Sequence, residues 1–366
     1  MSRCKLEEFI SYEQPSKYIV NSDQYDDSFE IPVLTAGKSF ILGYTDETNN
    51  IFDNLPVIIF DDFTTSVQFV DFPFKVKSSA MKLLKNTEQA DIKYCYYLLK
   101  FLQHTPENHK RQWLSATSQN IVELPTIEKQ KNIVRKLDKI LEVIDNQNKQ
   151  LELLDEAIKA RFVEMFGDPE DNPFKWDKMP LSNIMLNANN GMARRGNDEN
   201  GNIVLRLVEL QDGYINYSNP NRICLNENEK KRYLLKNNDF LFARVNGNPD
   251  NVGRCAVFHD IGEDVYHNDH IIRVHFNEEL LNGVFASELI NSNFGKRQLK
   301  KRIKTSAGQY TVSQDGIGAI VSIVPPLELQ NQFASFVKEI DKSRLRELLA
   351  IKHIKLLLND SWLLFY

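Results

Sequence analysis

The chain has 366 residues, of which 45 are Lys or Arg and 50 are Asp or Glu, so its formal net charge is −5. This length predicts two or three domains, and a hydrophobic content of 42% is typical of a globular protein rather than a disordered or fibrous one. No apolar run approaches the roughly 18 residues of a membrane span. The first twenty residues lack a signal-peptide core, and the four cysteines form no CxxC pair. We therefore expect a cytoplasmic protein without disulfides or a cysteine-based zinc site.

Residues 1–124 predict a first globular domain of mixed α/β structure. Strands are expected at 56–60 and 67–70, where β-branched and aromatic residues cluster, and a helix is expected at 91–103. The Gly-Lys-Ser sequence at 37–39 resembles the end of a phosphate-binding loop, but Pro32 stands where that pattern needs a glycine. The carboxylate pair Asp61-Asp62 has no nuclease-like partner nearby, and we interpret it as a solvated turn.

A long helix is predicted within 125–167, because Pro125 suits a helix start, Gly167 suits its end, and neither residue type occurs between 133 and 165. Its apolar residues repeat at spacings of 4 and 3, with Gln147 and Arg161 at the two skipped positions. The pattern favours a coiled coil over an ordinary amphipathic surface helix, whose apolar stripe would drift. The predicted seam consists of Ile133, Leu137, Ile140, Ile144, Leu151, Leu154, Ile158 and Met165.

Residues 168–324 predict a second mixed α/β domain, with strands at 203–208, 240–243 and 270–276. Four histidines cluster loosely in it: His259, His267, His270 and His275. Because side chains alternate along a strand, His267 and His270 would point to opposite faces, so we favour polar hydrogen bonding over a metal site.

Concentrated positive charge is the strongest chemical signal in this domain. Six basic residues lie within 296–304, and no acidic residue occurs from Leu289 to Gln314. Spacings of four residues place them on one face of a helix that we expect to reach Lys304. Such a face suits DNA phosphates, with a plain solvated surface as the alternative. The polar stretch 305–311 is expected to form a loop that reads base edges.

Two further loops, 190–197 and 244–248, carry Arg and Asn side chains suited to guanine and adenine, although either could be a plain hairpin turn. A fainter basic and polar version of the 289–314 stretch occurs near Lys110 in the first domain. The candidate DNA contacts are Lys38, Ser39, Lys110, Arg111, Arg194, Arg195, Arg244, Asn246, Asn248, Lys296, Arg297, Lys300, Lys301, Arg302, Lys304, Gln309 and Tyr310.

A second long helix is predicted within 325–366, and it begins as the first one does. Residues 125–130 (PTIEKQ) match 325–330 (PPLELQ), and the seam starts again with Phe333, Val337 and Ile340. Continuing this register places Arg344 and Glu347 in the seam; a shift that uses the neighbouring leucines is equally possible. Upstream of these motifs, residues 94–116 match 285–307 at an offset of 191. The ordered matches predict a duplication in which each copy is a globular part followed by a helix.

This layout resembles the DNA specificity subunit of type I restriction-modification systems. The resemblance rests on the two proline-led helix starts, on the helix end 160–169 (ARFVEMFGDP), and on 35–39 and 240–247 as segments of target recognition domains. It implies an α/β (α+β) fold with two target recognition domains held apart by two antiparallel coiled-coil helices. It also implies that each domain recognises one half of a split site in double-stranded DNA.

The same resemblance implies a non-catalytic chain that docks two methyltransferase subunits and, through them, the restriction and translocase subunits. No cofactor or metal is expected on this chain; S-adenosylmethionine, ATP and Mg²⁺ are expected on the partners. The first domain, with about 124 residues, is shorter than the second, with about 157. Alternative functions are a coiled-coil scaffold that binds proteins, a recognition module of another restriction-modification class, and a nuclease or methyltransferase active alone.

Overall fold

A computed structural model describes residues 2–37, 39–106, 111–306 and 308–361 of the chain. Two compact units are present: Met1–Asn148 with Leu349–Tyr366, and Lys149–Leu348. No helix in the described ranges is long and apolar enough to cross a membrane.

The described residues of the first unit form nine strands, two short α-helices, the start of one long helix and the end of the other. Its strands are β1 (Ser2–Lys5), β2 (Ile10–Glu13), β3 (Ile31–Leu34), β4 (Ile41–Thr45), β5 (Val57–Asp61), β6 (Val67–Val70), β7 (Lys75–Val76), β8 (Met81–Asn86) and β9 (Ile121–Leu124). Its helices are α1 (Ile92–Phe101), α2 (Gln112–Ser115) and the first part of α3 (Ile127–Phe166). The predicted strands at 56–60 and 67–70 and the helix at 91–103 are thus confirmed.

The second unit contains the remaining strands, the end of α3 and most of the last helix. Its strands are β10 (Asp177–Pro180), β11 (Met185–Asn190), β12 (Asn202–Leu205), β13 (Arg222–Ile223), β14 (Phe240–Ala243), β15 (Val245–Asn246), β16 (Cys255–Val257), β17 (Val265–His267), β18 (Ile271–Phe276), β19 (Lys304–Ser306), β20 (Gln309–Thr311) and β21 (Val321–Val324). Its helices are α4 (Glu227–Tyr233), α5 (Gly283–Asn291), α6 (Asn293–Lys300), α7 (Gln314–Gly318) and α8 (Leu327–Ser361).

The two units share most of their strand topology, in line with the duplication predicted from the sequence, although the sheet β15-β20-β19 of the second unit has no counterpart among the described residues of the first. The first unit has a four-stranded sheet in the order β2-β8-β5-β6, and the second has β11-β18-β14-β16. Each unit also has a three-stranded sheet with one parallel and one antiparallel pair, β4-β3-β7 and β13-β12-β17. A two-stranded pair that leads into the long helix, β1-β9 or β10-β21, completes each copy.

The repeated helix-start motif has a structural reason in its glutamine. Gln130 is fully buried; its Nε2 donates to the carbonyl of the proline that begins the motif, and its Oε1 accepts from the Asp91 amide at 2.7 Å. Gln330 bonds the equivalent proline carbonyl, and its Oε1 accepts from the Asn282 amide at 2.9 Å. Asp91 and Asn282 are the N-caps of α1 and α5. Each glutamine therefore joins a long helix to the cap of a shorter one.

The predicted seam residues form the buried or half-buried side of α3. Ile133, Leu137 and Ile158 are buried, whereas Ile140, Ile144, Leu151 and Leu154 are half-buried. In the second unit Phe162 extends this side and packs against Phe333 of α8, with ring centroids 5.5 Å apart. Asp155 of α3 forms an ion pair with Arg344 of α8. Phe162 thus contacts Phe333, whereas Asp155, earlier in α3, contacts Arg344, which is later in α8. These segments of the two helices therefore run antiparallel within this unit.

The sequence allows two registers for the seam of α8, and the burial of its side chains decides between them. Arg344 and Glu347 are half-buried, Ile351 is buried, and Leu358 packs against the apolar core of the first unit. The leucines of the shifted register are exposed, with 58% of the surface of Leu345 open to solvent. The seam therefore continues unshifted through Arg344, whose guanidinium is neutralised by Asp155 and Asp341.

Candidate nucleic-acid interface

The described residues of the polar stretch 305–311 lie mainly in the two paired strands of a β-hairpin, not in the loop that the sequence predicted. Strands β19 and β20 pair with each other, and β20 also pairs with β15, so that Tyr310 lies opposite Asn246. Gly308 in the turn has a φ of 77°, a conformation that favours glycine. Two candidate segments that are about sixty residues apart in sequence thus form one small sheet.

Arg244 lies where β14 ends and β15 begins, and backbone hydrogen bonds fix it on both sides. Its amide donates to the His270 carbonyl at 2.7 Å, and its carbonyl accepts from the Val312 amide at 2.9 Å. The side chain is half-buried, and its Nη1 donates to the Asp269 carbonyl at 3.1 Å. The guanidinium is therefore held beside the turn between β17 and β18.

The arginine-containing loop 191–197 is fastened to the same turn. A Cβ at Gly191 would lie 2.2 Å from the His267 carbonyl oxygen, so only glycine fits this approach. The Met192 amide donates to that carbonyl at 2.9 Å, and the Met192 carbonyl accepts from the Asp269 amide at 3.0 Å. These bonds set the direction in which the two arginines leave the loop.

Arg195 and Arg244 meet at Asp269 and His270. Nη2 of Arg195 lies 2.7 Å from Oδ1 of Asp269 and 3.0 Å from Nε2 of His270. Partial burial and the two guanidinium groups lower the pKa of His270, while Asp269 opposes that change. Arg195 is 52% exposed and His270 is 38% exposed, so an anion from solvent can reach this cluster. We call Arg195, Arg244 and His270 the cationic triad, after its two guanidinium groups.

Arg194 and the two candidate asparagines have roles within the fold. Arg194 forms a two-pronged ion pair with Glu229, with contacts of 2.9 and 2.8 Å, which lowers the pKa of Glu229 to about 2. Asn246 accepts from the Asn248 amide, and Asn248 caps a short turn through the Asp250 amide. Their assignment as DNA contacts stays a prediction.

The basic stretch differs from the predicted continuous helix. Helix α6 ends at Lys300, Lys301 caps it, and Lys304 lies in β19, so the expected helical face does not reach Lys304. Two donors of Arg302 are satisfied by the carbonyls of residues 298 and 319, which gives this side chain a structural role. Lys296 pairs with Asp212 at 2.9 Å, and Arg297 pairs with Glu170.

Three lysines of this stretch remain available to a ligand. Lys300, Lys301 and Lys304 are exposed, and none forms an ion pair with another described residue. Lys304 pairs in register with Thr311, the residue that also lies opposite Val245 on β15. Lys304, the hairpin and Arg244 therefore lie on adjoining segments of the second unit, and Lys300 and Lys301 precede β19 directly in the chain.

Comparison with known proteins identifies the fold and its relatives. No family profile matches the chain. Over 147 residues it is 48% identical to the EcoR124I/EcoR124II type I restriction enzyme specificity subunit of Escherichia coli, covering 37% of this chain and 36% of the relative. It is 27% identical over 231 residues to the StySPI specificity subunit of Salmonella potsdam, covering 60% of this chain and 50% of the relative. The chain thus spans half or less of these curated relatives.

Solved structures extend the likeness to the whole chain. The type I restriction-modification S subunit from M. genitalium superposes with a TM-score of 0.60 at 14% identity, covering 100% of this chain and 96% of that one. A second solved structure, whose title names complex assembly and conformational transition of the type I R-M system, superposes with a TM-score of 0.54 at 12% identity. The superposition covers 97% of this chain and 95% of that one. The resemblance to type I specificity subunits is confirmed.

The first copy of the repeat differs from the second at the position of the triad. Asp62 makes the backbone bonds that Arg244 makes in the second copy: its amide donates to Ala80, and its carbonyl accepts from Gln112. The Asp62 carboxylate is fully buried, 2.9 Å from Nζ of Lys82. The interpretation of 61–62 as a solvated turn is therefore wrong, because a buried lysine neutralises the acid.

Of the four candidate DNA contacts in the first copy, the structure describes two. Ser39 and Arg111 are exposed, and the Ser39 carbonyl accepts from the Thr35 hydroxyl at 2.8 Å. Lys38 and Lys110 lie outside the described residues. The described residues contain no cluster of three metal-ligating side chains. Sequence reasoning missed Asp269 and His270 as members of the site, because only the fold brings their turn to Arg195 and Arg244.

Proposed function

We propose that this chain is a DNA specificity subunit that recognises a bipartite site, with each copy of the repeat contacting one half. The observation that carries the proposal is the duplicated α/β topology in a chain related to type I specificity subunits. Two copies of one fold with different surface residues are suited to two different sequences. The predicted domain limits, 1–124 and 168–324, delimit the two target recognition domains.

The second copy offers the chemistry that DNA recognition requires. Exposed Lys300, Lys301 and Lys304 suit phosphates, which fix the orientation of a protein on the duplex without selecting a sequence. A two-stranded ribbon fits the major groove, and Gln309 and Tyr310 lie on such a ribbon beside Asn246. These polar side chains are therefore the proposed base contacts of this half-site.

The proposed chain has no catalytic role of its own. Two methyltransferase subunits dock on α3 and α8, which hold the domains apart as an antiparallel coiled coil, and restriction subunits join through them. Exposed apolar side chains on both helices support this docking, because exposed apolar patches on a protein often mark protein–protein contacts. They include Leu141, Val143, Leu153, Val163, Leu345, Leu348, Leu349 and Leu356. S-adenosylmethionine, ATP and Mg²⁺ belong to the partners.

Exchange of one domain tests the proposal. Residues 174–324 would be replaced with the matching segment of a relative, and methylated sites would be mapped in cells that carry the complete system. We expect one half of the methylated motif to change and the other half to persist. A change in both halves would contradict independent reading by the two copies. Partner binding without any salt-sensitive DNA binding would favour the protein scaffold instead.

A further inference from the structure

The cationic triad has a hydrogen-bonding arrangement that changes when an anion arrives. In the free protein Nη2 of Arg195 points at Nε2 of His270 from 3.0 Å. A guanidinium has no acceptor, so Nε2 must be the acceptor and the imidazole is neutral in this geometry. If Nε2 were protonated, its N–H and the N–H of Arg195 would point at each other. Such an arrangement is stable only with a hydrogen-bond acceptor between the two groups.

The charges around His270 come from three segments of the second unit. Arg195 approaches from the loop 191–197, Arg244 from the junction of β14 and β15, and Asp269 from its own turn. Oδ1 of Asp269 is 4.0 Å from Nε2 of His270 and is already engaged by Arg195. One carboxylate therefore faces two guanidinium groups, and a further negative charge would be stabilised at this point.

We infer that His270 contacts a DNA phosphate together with Arg195 and Arg244, and that it takes up a proton as the phosphate binds. The inference rests on the proposed DNA-binding function of the second copy. A phosphate oxygen would replace Nε2 as the acceptor of Arg195, and the protonated imidazole would donate to the same phosphate. The reaction is uptake of one proton from solvent by Nε2, with no covalent change in the DNA.

The first copy does not share this site. The residues equivalent to Arg244 and His270 by their backbone hydrogen bonds are Asp62 and Ala80. The side chain of Asp62 is committed to buried Lys82, and Ala80 has no group to donate. Proton-linked phosphate binding is therefore a property of the half-site read by the second copy.

The test measures DNA binding by the full chain between about pH 8 and about pH 6, around the ordinary pKa of histidine. The probe is a mixed-sequence duplex of about 40 base pairs, since phosphate contacts do not depend on sequence. We expect affinity to rise as the pH falls, by up to about tenfold for each unit by which the phosphate raises the pKa of His270. The variant His270→Gln should lose this rise.

Two further variants separate the triad from general effects of pH. His270→Lys carries a permanent charge and should keep high affinity at both ends of the range without the rise. His259→Gln removes a histidine outside the triad and should behave as the wild type does. Circular dichroism at each pH confirms that the variants are folded.

The outcomes distinguish the inference from the function on which it rests. Wild-type binding with a pH dependence that His270→Gln leaves intact would overturn the role of His270 and leave the proposed function standing. Absence of any salt-sensitive binding by the wild type would overturn both.

Discussion

The free lysines of the second unit allow a quantitative test of phosphate contact. Substitution of Lys300, Lys301 and Lys304 with Ala removes three exposed charges that have no ion-pair partner among the described residues. Each lost phosphate contact lowers the slope of log affinity against log salt by about 0.9, so the triple variant should lose about 2.7 from its slope. Between about 50 and about 200 mM salt, the wild-type affinity should fall about 40-fold further than that of the variant.

The measurement is fluorescence anisotropy of a labelled duplex over a salt series. A control that replaces Lys175, Lys178 and Lys231 changes the net charge equally, at exposed positions outside the sheet formed by β15, β19 and β20. Its slope should stay near that of the wild type. Equal slopes in the wild type and the Lys300, Lys301, Lys304 variant would show that these residues do not touch phosphates.

Three further predictions concern stability. Lys82→Met should destabilise the first unit by about 3–5 kcal/mol in urea unfolding, because it leaves the buried Asp62 charge uncompensated; replacement of both residues should restore part of the loss. Phe162→Ala should cost about 3–5 kcal/mol, whereas Leu153→Ala, with 61% of the residue exposed, should have little effect. Burial lowers the pKa of His267 from 6.5 to about 4, so between these pH values the unfolded chain binds a proton that the folded chain does not bind. Stability should therefore fall by up to about 3 kcal/mol as the pH drops from 6.5 to 4, and His267→Gln should flatten that dependence.

The long helices and central strands could be predicted from the sequence because their signals are local. The seam of α3 repeats over more than four heptads, and the strand at 67–70 is bounded as predicted. The hairpin escaped prediction because its strands have three residues each, are polar, and depend on a partner strand about sixty residues upstream. The hydrogen bonds of Arg302 to two backbone carbonyls could not be predicted for a similar reason, since composition does not reveal which carbonyls a guanidinium contacts.

The same limit explains why the two copies cannot be assigned the same DNA chemistry from their shared fold. Backbone hydrogen bonds place Asp62 and Arg244 at one position of the repeated topology, yet the first is a buried anion neutralised by Lys82 and the second is a partly exposed cation. Topology alone would predict equivalent contacts at both. Under the proposed function, a duplicated scaffold that keeps the backbone bonds and varies the side chains at their ends is suited to two unlike half-sites. The two copies instead share the buried glutamine at the start of each long helix, which makes the same bonds in both.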